Sequence, residues 1–187
     1  MTNPALEQGS PARDLPGLTA DGLTLWRLMV AAALIPVLAF GWPGLGAALL
    51  GTAWLSDFFD GRAARASSGP TSLGDLDLWA DTLVGAGVVL GFTLWGWVPL
   101  VFGLGLVAIL LAAFAVTQIE AMSMILQATG YGLELWRLWR EAYVGSLTWL
   151  LLIIVGIAFV NRRILWERSL PTFFGGIATL SRRRTGR

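Results

Sequence analysis

From residue 23 to residue 40 the chain is apolar apart from Thr24 and Arg27, and runs of this kind recur along most of its length. Such runs are too long to lie on the surface of a soluble domain, so the first constraint is the solvent: the segments belong in a bilayer. Composition agrees, with 56% hydrophobic and 13% charged residues and a mean hydropathy of +0.69. Residues 1–22 contain three Pro and both charge signs but no apolar run long enough for a signal peptide core, and they read as an interfacial N-terminal arm. The membrane domain is expected over residues 23–181, with residues 182–187 as a basic tail.

Within that domain the expected spans are 23–40, about 45–59, 76–95, 98–116 and 142–160. Trp42 and Pro43 mark one interfacial turn, and Trp95, Trp97 and Pro99 mark another. Arg27 lies near enough to the start of the first span to snorkel to the headgroups. The stretch 117–141 carries Gln118, Glu120, Gln127, Glu134, Arg137 and Arg140 among apolar residues, and reads as the end of the fourth helix followed by an amphipathic interfacial segment. A weaker sixth span is placed at 164–180, because it returns Arg182, Arg183 and Arg184 to the side of Arg62 and Arg65. The expected fold is therefore all-α and polytopic, with about six transmembrane helices, five clear and one weak, and both termini cytoplasmic.

Several chemistries are excluded. The chain has no Cys and no His, which removes thiolate sites and the usual general base and zinc ligand. All 13 basic residues are Arg, so there is no lysine nucleophile. A net charge of +1 gives no basic surface for nucleic acid. Catalysis has to run on carboxylates, hydroxyls and Arg.

The carboxylates are concentrated. Of seven Asp, five (Asp57, Asp60, Asp75, Asp77 and Asp81) fall within 25 residues that straddle two expected membrane helices. A charge at the centre of a spanning helix costs roughly 2.5 to 3.5 kcal/mol on insertion scales, so such a group needs a compensating partner. Asp57 and Asp60 are spaced i, i+3, and Asp77 and Asp81 are spaced i, i+4, so each pair lies on one helix face. Two facing helices would bring the four together around Mg²⁺ or Mn²⁺, the divalent ions that all-oxygen ligation suits, with two ions sharing bridging carboxylates. Gly61 allows close approach to the backbone, and Arg65 stands one turn on, placed to pair with phosphate. Plainer roles fit their neighbours: Asp75 as a helix cap and Arg62 as an interface anchor. Most of the ten Trp read as belt anchors, while Trp54 and Trp79 stand close to the Asp pairs.

These residues resemble the signature of the CDP-alcohol phosphotransferases, D-x-x-D-G-x-x-A-R followed at a distance by D-x-x-x-D. Here Asp57, Asp60, Gly61, Ala64 and Arg65 match the first half and Asp77 and Asp81 the second. Gly74 precedes Asp77 by two intervening residues where the family has three, and the Arg65 to Asp77 interval is one residue short. Leu23-Thr24-Leu25-Trp26-Arg27 with Pro36 downstream looks like the first span of bacterial phosphatidylglycerophosphate synthases. The resemblance implies transfer of a phosphatidyl group from CDP-diacylglycerol to a small alcohol, with release of CMP, by a homodimer facing the cytoplasm from the inner membrane. It implies Asp57, Asp60, Asp77 and Asp81 as metal ligands, Asp81 also as general base, and Gly61, Ala64 and Arg65 around the CDP moiety. The acceptor stays open. The A-R-E-I and G-K-x-K-T runs of the glycerophosphate enzymes are missing, and Arg137 and Arg140 stand in their approximate place, either for an acceptor phosphate such as that of glycerol 3-phosphate or as interface anchors. Two other readings compete: an ion-coupled small transporter, and an inactive family member serving as a partner subunit.

Overall fold

The computed structural model describes residues 15–66 and 73–160. Among them all regular structure is α-helical: α1 (Leu15–Ala39), α2 (Pro43–Ala66), α3 (Gly74–Leu94), α4 (Leu100–Thr117), α5 (Glu120–Arg140) and α6 (Val144–Val160). Three of these are long and apolar enough to cross a membrane, namely α1, the 76–94 part of α3, and α4; α6 is a shorter apolar helix. The turns use the expected chemistry. Gly41 and Gly96 take φ values of +76° and +86°, which a residue with a Cβ adopts only with strain, and each reverses the chain beside a Trp.

α3 is the centre of the bundle, packing against α1, α4 and α5, while α2 rests on α1 and α6. Small residues let the backbones approach. A Cβ on Gly87 would lie 2.5 Å from the Ala31 carbonyl oxygen, and one on Gly85 would lie 2.8 Å from the Gln127 Cα, so α3 touches α1 and α5 almost backbone to backbone. Between these contacts Leu34, Leu38, Leu50, Val88 and Phe92 form a core shielded from solvent and lipid. The apolar residues of α4 and α6 mostly point outward, as Val101, Phe102, Ile109, Leu152, Val155 and Phe159 do, which suits helices facing acyl chains.

Three expectations change. α1 begins at Leu15, eight residues before the expected first span, so Arg27 lies three turns inside the helix and is fully buried rather than snorkelling to the interface. The 117–141 stretch is not an interfacial segment: it supplies α5, 21 residues long and about 31 Å at 1.5 Å per residue, packed against α2, α3, α4 and α6. Its polar face turns inward, where Ser123 Oγ and Thr82 Oγ1 share a 2.6 Å hydrogen bond and Gln127 Nε2 donates to Ser123 at 2.9 Å. An amphipathic helix suits a bundle interior as well as a membrane surface, and here the bundle supplies the polar partners. α5 is thus one of six helices among the described residues. The expected span at 164–180 and the basic tail lie outside the described residues, as does residues 1–14 of the arm. The cap position of α3 falls on Leu73, not Asp75.

Candidate active site

The site forms where α2 ends and α3 begins. Helical spacing puts Asp57 and Asp60 on one face of α2, and Asp77 and Asp81 on one face of α3. α2 and α3 make few direct contacts along their backbones, yet carboxylates of the two helices come within reach of one another. α1 joins them. Arg27 Nη1 donates to Asp57 Oδ1 at 3.2 Å and to Asp81 Oδ1 at 2.5 Å, while Nη2 donates to Asp60 Oδ2 and Asp77 Oδ1. One turn earlier on the same stripe, Thr24 Oγ1 donates to Asp60 Oδ2 at 3.1 Å. The guanidinium puts a positive charge among the four carboxylates and so offsets part of the mutual repulsion that would drive them apart.

The cluster is graded in depth. Asp60 has a side chain only 8% exposed, Asp81 is 21% exposed, and Asp77 and Asp57 are 44% and 55% exposed, so the carboxylates line a path from solvent to the buried Arg27. One oxygen each from Asp57, Asp77 and Asp81 lie within 4.8 Å of one another, close enough to ligate a common cation. Hard carboxylate oxygens converging without His or Cys fit Mg²⁺ or Mn²⁺. Beside the cluster opens a cavity of about 180 Å³ lined by Ala20, Asp21, Thr24, Asp60, Gly61, Ala64 and Asp77. Gly61 and Ala64 therefore face the carboxylates across open space. Arg65 is exposed and its guanidinium lies alongside Gly61, 3.3 Å from where a Cβ on that residue would stand. Arg62 instead folds over Phe58, 3.6 Å from the ring centroid, and donates to the Phe58 carbonyl oxygen at 3.1 Å.

The structure does not bring Arg137 and Arg140 to this cluster. Thr82 on α3 pairs with Ser123 near the start of α5, and Trp95 just past α3 meets Arg137 near the end of α5, so these helices run parallel. Asp81 and Trp95 are 14 residues apart along the chain, about 21 Å of helix, which puts Arg137 at the other end of the bundle. There Arg137 is buried, stacks over Trp95 at 3.4 Å, and its Nε donates to Glu141 at 3.3 Å. Arg140 lines an open cleft of about 600 Å³ with Gly96, Trp97, Leu133, Trp136 and Glu141 at that same end. Trp54 packs edge-on against Tyr131, with centroids 5.1 Å apart, and Trp79 against Phe114 at 4.7 Å, so both serve helix contacts.

Thr24, Asp21 and Arg27 were not among the expected site residues. Their signal was available as three polar side chains at i, i+3 and i+6 on one stripe of an otherwise apolar helix.

An all-helical bundle with a carboxylate cluster and a cavity at one end defines a polytopic membrane protein with a polar site set into its helices. The chain belongs to the CDP-alcohol phosphatidyltransferase family, whose sequence model matches residues 17–176, and members of that family are transferases of substituted phosphate groups. It is also 36% identical over 91 residues to the inner membrane protein YnjF of Escherichia coli (strain K12), across 49% of this chain and 44% of that protein. The matched stretch thus spans less than half the length of that relative. No solved structure matches the chain.

Proposed function

We propose that this protein transfers a phosphatidyl group from CDP-diacylglycerol to a small alcohol, releasing CMP, at a divalent-cation site formed by Asp57, Asp60, Asp77 and Asp81. The observation that carries the reading is the convergence of Asp57 on α2 with Asp77 and Asp81 on α3, with Asp60 bonded to the same Arg27, beside a cavity bordered by Gly61 and Ala64. Mg²⁺ or Mn²⁺ bound to these oxygens would neutralise the donor diphosphate and stabilise the departing CMP. Gly61 and Ala64, with no bulk beyond a methyl group, leave room for the CDP moiety against α2, and Arg65 at the mouth pairs with its phosphates. Asp81 takes the proton from the acceptor hydroxyl as the acceptor oxygen bonds to the phosphorus carrying the diacylglycerol and the bond from that phosphorus to the CMP oxygen breaks.

The site faces the cytoplasm in this reading. Arg62 and Arg65 stand at the carboxylate end of α2, in keeping with the positive-inside rule. The homodimer that the resemblance implies belongs to the same reading and is checked by cross-linking in native membranes. The interval between Arg65 and Asp77, one residue short, does not favour an inactive subunit, since Asp77 and Asp81 still reach Asp57. A transporter is disfavoured because no second cluster of three or more carboxylates accompanies the first among the described residues.

CMP release by the detergent-purified protein, given CDP-diacylglycerol and Mg²⁺ or Mn²⁺, tests the proposal, with glycerol 3-phosphate, serine, inositol phosphate and a lipid alcohol offered separately. Release with one acceptor that disappears in Asp57→Asn is the expected result. No release with any of them, from protein that also fails to bind CDP-diacylglycerol, would end the proposal.

A further inference from the structure

We propose that the Arg27 guanidinium and divalent cations are alternative holders of the same four carboxylates. The inference rests on the reading of those carboxylates as divalent-cation ligands. Each terminal nitrogen of Arg27 joins one carboxylate of α2 to one of α3: Nη1 joins Asp57 to Asp81, and Nη2 joins Asp60 to Asp77. A planar fork with two nitrogens thus does across the helices what a pair of bridging cations does. Among the described residues no other basic side chain forms an ion pair with these carboxylates.

Charge balance sets the direction. Four carboxylates against one guanidinium leave the cluster strongly negative, which draws divalent cations in. Two such cations match four carboxylates without help, and a fifth positive charge packed among them is then repelled. Arg27 is built to yield: it is held by its two terminal nitrogens, while its Nε is buried and has no hydrogen-bond partner. The cavity bordered by Thr24, Asp60 and Asp77 offers space next to it. Arg27 therefore keeps α1, α2 and α3 assembled when the cations are absent, and its displacement is a cost that every binding ion meets.

The test uses Mn²⁺ alone as probe, with free ion counted by electron paramagnetic resonance in titrations of chelator-stripped, detergent-purified protein, and thermal unfolding followed in parallel by Trp fluorescence. Relative to the wild type, Arg27→Gln should unfold at lower temperature without metal, and should half-saturate with Mn²⁺ at a concentration about tenfold lower. Mn²⁺ should also raise its unfolding temperature by more than it raises that of the wild type. Arg27→Lys, whose point charge cannot fork to both pairs, should fall between the two. If the Gln variant does not accumulate, the Lys variant carries the test, and half-saturation equal to that of the wild type overturns the proposal. Half-saturation of Arg27→Gln at the same or a higher concentration than the wild type also overturns it, and leaves the divalent reading standing. If the wild type takes up no Mn²⁺, or Asp81→Asn takes up as much as the wild type, the divalent reading itself fails and the Arg27 inference falls with it.

Discussion

Asp81 and Asp57 sit on different helices and bond the same nitrogen of Arg27, yet their chemical prospects differ because their exposure differs. Asp81 is the deeper of the two, held near the other carboxylates but still open on one side, which suits a group that must accept a proton from a bound hydroxyl. In the proposed mechanism, replacing it with Asn keeps the shape and removes the base. Asp81→Asn is expected to lower the rate of CMP release by about 10²- to 10⁴-fold, while CDP-diacylglycerol binding, read by equilibrium dialysis of labelled donor, changes far less. Equal losses in both would mean that the residue holds the site together without moving a proton. The four Asp were legible at this scale because a carboxylate in an apolar helix has so few stable explanations. Arg27 was not, since an Arg in an apolar run can reach out to headgroups or turn inward, and the sequence does not say where its helix begins.

Among the elements, α3 does most to fix the geometry, because it carries two of the carboxylates and touches both α1 and α5 through glycines. Gly87→Ala puts a methyl group against the Ala31 carbonyl, and is expected to destabilise the fold by about 1 to 3 kcal/mol, as overpacking of a close contact does. Gly105→Ala on α4 has nothing within 4 Å of its new methyl group and should leave the unfolding temperature unchanged or slightly raised. A thermal unfolding series in detergent separates the two. α5 is the element the sequence misplaced: its polar residues fitted an interfacial helix, and only the neighbouring Thr82 and Trp95 show that they face inward. Arg137 stacks on Trp95 and is buried, so Arg137→Gln should cost about 1 to 2 kcal/mol of stability, whereas exposed Arg140→Gln should cost little. Neither variant, assayed as folded protein, is expected to shift the KM for the acceptor, because both residues stand at the end of the bundle away from the carboxylates. A rise in acceptor KM in either one would return that residue to the substrate path.

Across the whole molecule the two ends differ: one holds the carboxylates, Arg65 and the cavity, the other the Trp95 and Trp97 stack and Arg137. That polarity can be read directly, since the chain has no Cys to interfere. Cysteine placed at exposed Trp136 should react with a membrane-impermeant maleimide in intact cells, and cysteine placed at exposed Arg65 only after the membrane is opened. The reverse pattern would turn the site away from the cytoplasm and from a supply of CDP-linked donor there. By itself the sequence determined that the chain lives in a membrane as helices and that Asp57 with Asp60, and Asp77 with Asp81, share one helix face each, because long apolar runs and helical spacing depend only on local order. Only the tertiary structure decided that α1 supplies the cation between them, that α5 belongs inside the bundle, and that Arg137 lies far from the site. Those outcomes depend on which helix packs against which, and the energy that selects among such packings comes from contacts between residues remote in the chain.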